Sequence, residues 1–132
     1  MSALYLDSSA LVKLVQKEAE SAVLRRYLRR NSARRVTSAL ARVGVVRAVL
    51  AGGPDAVAKA RRQLGRLHTV TLDRRILDRA ATLTAPVPLR SLDAIHVATA
   101  QVLGGELRGV VTYDTRMEEA AMALGLATAA PA

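Results

Sequence analysis

Cysteine is absent from this chain, and so are phenylalanine and tryptophan. Without cysteine there is no disulfide and no thiolate metal site, which suits a reducing compartment, and the cytoplasm is the expected location. Aromatic residues make up 2% of a chain that is 51% hydrophobic, so the core has to be built from alanine, valine and leucine. The same lack leaves little for nucleobases to stack on. The longest run without charge, Ala120 to Ala132, falls short of the roughly 20 apolar residues that span a bilayer. The start of the chain reads directly as a strand, with no secretory signal, and no membrane partner is expected. Two further absences concern charge. No acidic residue stands between Glu20 and Asp55, and no lysine follows Lys59.

What is present is mostly arginine. The net charge is +9, arginine outnumbers lysine 17 to 3, and eight arginines fall in the acid-free stretch 21–54. A surface of this kind favours a polyanion, most often a nucleic acid, although a solvated arginine-rich face is the blander reading. With so few aromatics, contact would run mainly through phosphates and shape. At 132 residues the chain is long enough for one domain with a real core, taken as residues 1–132.

The pattern along the chain alternates strands with helices. Residues 3–6 read as a buried strand, followed by a helix from the Asp7-Ser8-Ser9 turn to about Val15. Arg25, Arg26, Arg29 and Arg30 interleave with Val23, Leu24, Tyr27 and Leu28, an amphipathic helix with one basic face. Arg34 to Thr37 reads as a strand, with Ser38 capping a helix to about Leu50. Pro54-Asp55 opens the next helix, to about Leu64. His68 to Leu72 reads as a strand, and Asp73 caps a helix to about Thr82. After the Pro86 and Pro88 loop, Ser91 opens a helix that Gly104-Gly105 stops. Val110 to Thr112 is a strand, Thr115 to Leu124 a helix, and Leu126 to Thr128 a last edge strand. This order indicates an α/β fold with a mainly parallel sheet.

Three carboxylates stand out against that frame. Asp7 ends the first strand, Asp114 lies just past the Val110 strand, and Asp93 sits in the first turn of the helix between them. In an open parallel sheet, ligands bind at the carboxyl ends of the strands. Separate carboxylates delivered to one rim suggest a site for a hard cation. Each also has a plainer role, as a helix cap or a first-turn acid favoured by the helix dipole. Asp73 repeats the strand-then-aspartate pattern with no chemistry around it and is read as a cap. His96, one turn after Asp93, is read as a core residue or a support behind the carboxylates, since no other His or Cys stands at zinc spacing. His68 is read as structural. Thr112 shares a strand end with Asp114 and is placed to orient a carboxylate or a water.

The segments YLDSSALVKL, SALARVGVVRAVL, LRSLDAIHVATA and VVTYDTRMEEAA together resemble the PIN-domain ribonucleases, and among them the VapC-like toxins of toxin–antitoxin pairs. The resemblance spans essentially the whole chain. It implies a PIN-like α/β/α sandwich and a Mg²⁺- or Mn²⁺-dependent endoribonuclease acting on RNA, held inactive by a cognate antitoxin and usually a homodimer. Asp7, Asp93 and Asp114 match the family's acidic positions, Asp7 and Asp93 as principal ligands and Asp114 for a second ion or a bound water. Ser8 and Thr112 would support them. One acidic member is missing. The family carries a glutamate in the third-helix segment, where this chain reads Gly44. Glycine in a helix interior costs roughly 1 kcal/mol against alanine, so helix stability does not explain it. Two accounts stand: a natural variant with weakened chemistry, or an introduced change that spares an expression host a toxic nuclease, which the loss of a single charge-bearing position favours. A catalytically silent module that binds RNA or antitoxin is the alternative function. A phosphoacceptor receiver domain is disfavoured, because it calls for a late lysine and paired acids at the first strand.

Overall fold

The computed structural model describes residues 1–132. In chain order it runs β1 (Ala3–Leu6), α1 (Ser8–Val15), α2 (Ser21–Arg30), β2 (Arg34–Ser38), α3 (Ala41–Val49), α4 (Pro54–Leu64), β3 (His68–Val70), α5 (Arg74–Thr82), α6 (Ser91–Val102), β4 (Leu107–Val111), α7 (Thr115–Ala123) and β5 (Thr128–Ala129). The strands form one sheet in the order β3-β2-β1-β4-β5. Every pairing is parallel, so the expected mainly parallel sheet is wholly parallel.

The strands bury both faces, as parallel strands under helices must. Side chains alternate along a strand, so Leu4 and Leu6 of β1 join Val111 in a core with α1, α2, α3 and α4, while Ala3 and Tyr5 join Val36, Val97, Val110 and Met117 on the other face. The second face is extended by Ile76 and Ala80 of α5 packed on Ala94 and Ala98 of α6. The result is the α/β/α sandwich, with a core of small aliphatic side chains as the composition requires. Truncating a fully buried leucine such as Leu6 to alanine costs about 2–5 kcal/mol. α2 turns Leu24 and Leu28 inward, one helical turn apart, and leaves Arg26, Arg29 and Arg30 exposed.

Local chemistry moves several boundaries. Ser38 does not cap α3; it closes β2, its Oγ accepts from the Leu40 N–H, and the helix starts at Ala41. Ser91 is the first residue of α6, and the extended residue ahead of it is Arg90. β3 stops at Val70, short of Leu72. The last edge strand is Thr128–Ala129, set by the Val110 N–H donating to the Ala127 carbonyl and the Thr112 N–H to the Ala129 carbonyl. Asp73 caps α5 as expected, accepting from the Ile76 N–H at 3.0 Å. His68 lies exposed at the start of β3.

The chain leaves β1 toward β2 and β3, then returns to place β4 on the other side of β1. That reversal is the topological switch point, and it opens a crevice outside the carboxyl ends of β1 and β4. Asp7 and Asp114 follow those two strands.

Candidate active site

A cleft of about 460 Å³ opens at the switch point, and its lining includes Asp7, Ser8, Gly44, Arg90, Asp93 and Asp114. All three carboxylates singled out in the sequence therefore reach one cavity. Each is placed by a helix start. Asp7 caps α1, accepting from the Ala10 N–H at 3.0 Å; Asp114 caps α7, accepting from the N–H groups of Arg116 and Met117; Asp93 sits in the first turn of α6. Three helix amino termini thus converge on the crevice, and their partial positive charge helps hold anionic groups there.

Asp7 is the most enclosed, at 3% exposure. Pairing of β1 with β4 sets Leu6 beside Val111, which brings the next residues, Asp7 and Thr112, side by side. Thr112 Oγ1 donates to Asp7 Oδ2 at 2.6 Å, and Ser9 Oγ donates to Asp7 Oδ1 at 2.6 Å. Thr112 Oγ1 also accepts from the Asp114 backbone N–H at 3.1 Å, so one hydroxyl ties the Asp7 carboxylate to the turn that carries Asp114. Burial raises the Asp7 carboxyl above its ordinary value, and the Ser9 and Thr112 hydrogen bonds only partly oppose it. A nearby cation would relieve that penalty.

Asp93, also buried, and the more open Asp114 share a counter-charge that the sequence reading did not pick out. Arg90 Nε donates to Asp93 Oδ2 at 2.9 Å, and Arg90 Nη2 donates to Asp114 Oδ2 at 2.7 Å. Ser9 was likewise missed, while Ser8, the expected support, points elsewhere: its Oγ lies 3.4 Å from His96 Nε2. His96 is buried beneath the cleft, with Nδ1 2.6 Å from the Tyr5 hydroxyl. Burial lowers the imidazole's pKa and raises the phenol's.

The donor set is all oxygen and carries up to three negative charges, which in kind fits a hard divalent cation. It is not a closed cage. No group of three or more His, Cys, Asp or Glu side chains is gathered tightly enough to hold an ion as it stands. Asp93 and Asp114 already reach a common cation in Arg90, whereas Asp7 is turned onto Ser9 and Thr112.

Residues 4–122 match the model of the PIN domain family. The chain is 53% identical over 131 residues to Ribonuclease VapC46 of Mycobacterium tuberculosis, covering 99% of each. It belongs to the VapC-like PIN-domain family. Ribonuclease VapC35 of the same species is 46% identical, with 97% of this chain and 96% of that one covered. Among solved structures, the M. tuberculosis VapC20 toxin, described as cleaving the sarcin-ricin loop, superposes with a TM-score of 0.76 at 16% identity, covering 97% and 99% of the two chains. A toxin–antitoxin complex from Klebsiella pneumoniae gives 0.74 at 21%, covering 99% and 98%. These two likenesses show the PIN fold.

Within this PIN domain Gly44 faces the cleft from α3 at the place where the resemblance calls for glutamate. A Cβ at position 44 would stand 2.8 Å from Ser8 Oγ. α1 and α3 therefore approach closely there, and any side chain at position 44 must first turn the Ser8 hydroxyl aside. Arg47, one turn further along α3, lines the same cleft with an exposed side chain and no carboxylate partner.

Proposed function

We propose that this chain is a Mg²⁺- or Mn²⁺-dependent endoribonuclease, the toxin of a toxin–antitoxin pair, with chemistry weakened by Gly44. The observation that carries the reading is the convergence of Asp7, Asp93 and Asp114 on one cleft at the switch point. Asp7 and Asp93 would be the principal metal ligands, with Asp114 beside them for a second ion or a bound water. When bound, a divalent cation neutralises the charge that builds on the phosphate oxygens and makes an attacking water more acidic. The protein's own part is orientation. Ser9 and Thr112 fix the Asp7 carboxylate, and Thr112 couples it to the turn that carries Asp114. Arg47 offers a fixed positive charge to a phosphate entering the cleft, and the net charge of +9 draws a polyanion to the surface.

The partners follow from the same reading. RNA is the substrate, a cognate antitoxin restrains the enzyme, and a second copy of the chain completes a homodimer. Val43 and Leu92 line the cleft while being 58% and 57% exposed, apolar surface that a protein partner would cover. No helix is long and apolar enough to cross a membrane, and the cytoplasm is the proposed location.

A silent module that binds RNA or antitoxin without cutting is the second reading, and Gly44 favours it. Metal-dependent cleavage of total RNA by this chain and by its Gly44→Glu variant separates the two. Cleavage in Mn²⁺ that is lost with chelator, and stronger in the variant, supports the nuclease. Binding of RNA with no cleavage by either chain supports the silent module.

A further inference from the structure

The metal reading leaves one charged group in the cleft without a role, the guanidinium of Arg90. Its backbone is extended at the start of α6 and its side chain is 59% exposed, yet it folds back over the carboxylates instead of reaching into water. Nε meets Asp93 Oδ2 at 2.9 Å, while Nη2 meets Asp93 Oδ1 at 3.5 Å and Asp114 Oδ2 at 2.7 Å. The remaining ion pairs of the protein, Lys13 with Glu18 and Glu20, and Glu106 with Arg34 and the amino terminus, lie outside the cleft. Arg90 is thus the one cation paired with any of its carboxylates.

A guanidinium satisfies two carboxylates through directed N–H bonds along their lone pairs. An ion held by both Asp93 and Asp114 would compete with the guanidinium for their oxygens. The two cannot coexist there, because a divalent charge within ligating range of both carboxylates would also stand against the guanidinium. Exposure of the Arg90 side chain gives it somewhere to go, and the loop ahead of it, 83–90, carries no regular structure to hold it.

We infer that Arg90 is an exchangeable counter-cation. It keeps Asp93 and Asp114 neutralised and in position while the site is empty of metal, and it gives way when a divalent ion binds. This rests on the metal reading above and adds a residue to it. Metal affinity is then set partly by the arginine that must be displaced, as well as by the ligands.

The test compares Mn²⁺ binding, by calorimetry, in the full chain and in Arg90→Gln and Arg90→Lys. Removing the competitor should tighten Mn²⁺ binding about tenfold, the scale of two partly exposed ion pairs. Lysine, a point charge without the planar fork, should fall between. In chelator, Arg90→Gln should melt lower than the parent, and added Mn²⁺ should close that gap. The parent's Arg90 Nε–H resonance should move on adding Mg²⁺ from its hydrogen-bonded position to that of a free, rapidly exchanging guanidinium, whereas an arginine that stays on Asp93 would keep a protected, hydrogen-bonded signal. Measurable binding with equal or weaker affinity in Arg90→Gln, or an unmoved Nε–H signal, would overturn the exchange while leaving the metal site standing. Absence of metal uptake by all three chains would overturn the metal reading and the exchange together.

Discussion

Replacing Gly44 by glutamate sets three effects against one another, and their sizes can be worked from the structure. Helix propensity gains roughly 0.5 kcal/mol or more. The new Cβ meets Ser8 Oγ at 2.8 Å, so the hydroxyl must rotate and give up its 3.4 Å contact with His96 Nε2. A hydrogen bond that long is worth less than about 1 kcal/mol, and the two effects nearly cancel. The third effect is charge. A fourth carboxylate facing Asp7 and Asp93 adds repulsion of about 1–3 kcal/mol at an effective dielectric near 20, some of which it escapes by taking up a proton. In chelator the variant should therefore melt a few degrees below the parent. Adding Mn²⁺ should reverse the order. If the extra ligand tightens binding tenfold, the bound form gains about 1.4 kcal/mol, an additional rise of about 4–8 °C for a chain of this length. Gly44→Gln has nearly the same bulk and no charge. It should match the parent in chelator and show no additional metal shift. Thermal melts of the three chains, with and without Mn²⁺, alongside RNA cleavage, decide the matter. Equal metal-induced shifts and equal cleavage in parent and Gly44→Glu would mean that position 44 is not part of the site.

Other expectations follow from individual contacts. Asp93→Asn should keep the fold and lose the metal-induced rise in melting temperature, read in the same melts. Thr112→Val removes the donor to Asp7 and the acceptor of the Asp114 N–H; it should cost about 2 kcal/mol in chelator, measured by denaturant unfolding, and weaken Mn²⁺ binding. The pH dependence of metal-free stability carries two opposed contributions. Burial lowers the pKa of His96, so the folded form binds fewer protons than the unfolded one and stability is lost as pH falls below about 6.5; burial raises that of Asp7, so above about 3.8 the folded form binds more and acidification regains stability. His96→Gln should flatten the acid loss below about pH 6.5, and Asp7→Asn should remove the regain. RNA binding should weaken steeply with salt, and neutralising Arg26, Arg29 and Arg30 should flatten that slope if α2 lies along the RNA. Arg25 is better left in place, because Nη2 donates to the Leu14 carbonyl and holds α2 to α1. An unchanged slope with impaired self-association would assign this face to a second copy of the chain.

The parts of the site that follow from local pattern were legible, and those that depend on direction or on distant pairing were not. A strand ending in aspartate is visible in residues 3–7 and 110–114, and parallel pairing takes both ends to one rim. Asp73 shows the same pattern and stays a simple cap, because β3 lies at the sheet edge, away from the reversal. Ser8 and Ser9 are indistinguishable as letters. Successive helical residues diverge by about 100°, so Ser9 meets Asp7 while Ser8 turns toward His96 and Gly44. Arg90 was one arginine among seventeen, although it immediately precedes α6 and so faces Asp93, the third residue of that helix, across the first turn. The bond between Tyr5 and His96 joins residues 91 positions apart, and nothing in either neighbourhood announces it. The start of α3 was misplaced because Ser38 can cap a helix or close a strand, and pairing of Val70 with Ser38 decides for the strand.

Asp7, Asp93 and Asp114 are proposed to hold a divalent cation in the cleft beside Gly44. The most direct measurement is an anomalous-difference map from crystals of this chain grown in Mn²⁺. A peak within ligating distance of Asp93 and of Asp7 or Asp114, with the Arg90 guanidinium withdrawn from it, is the predicted result. A map with no peak in the cleft at Mn²⁺ concentrations that support RNA cleavage, or with the peak on other residues, would contradict it.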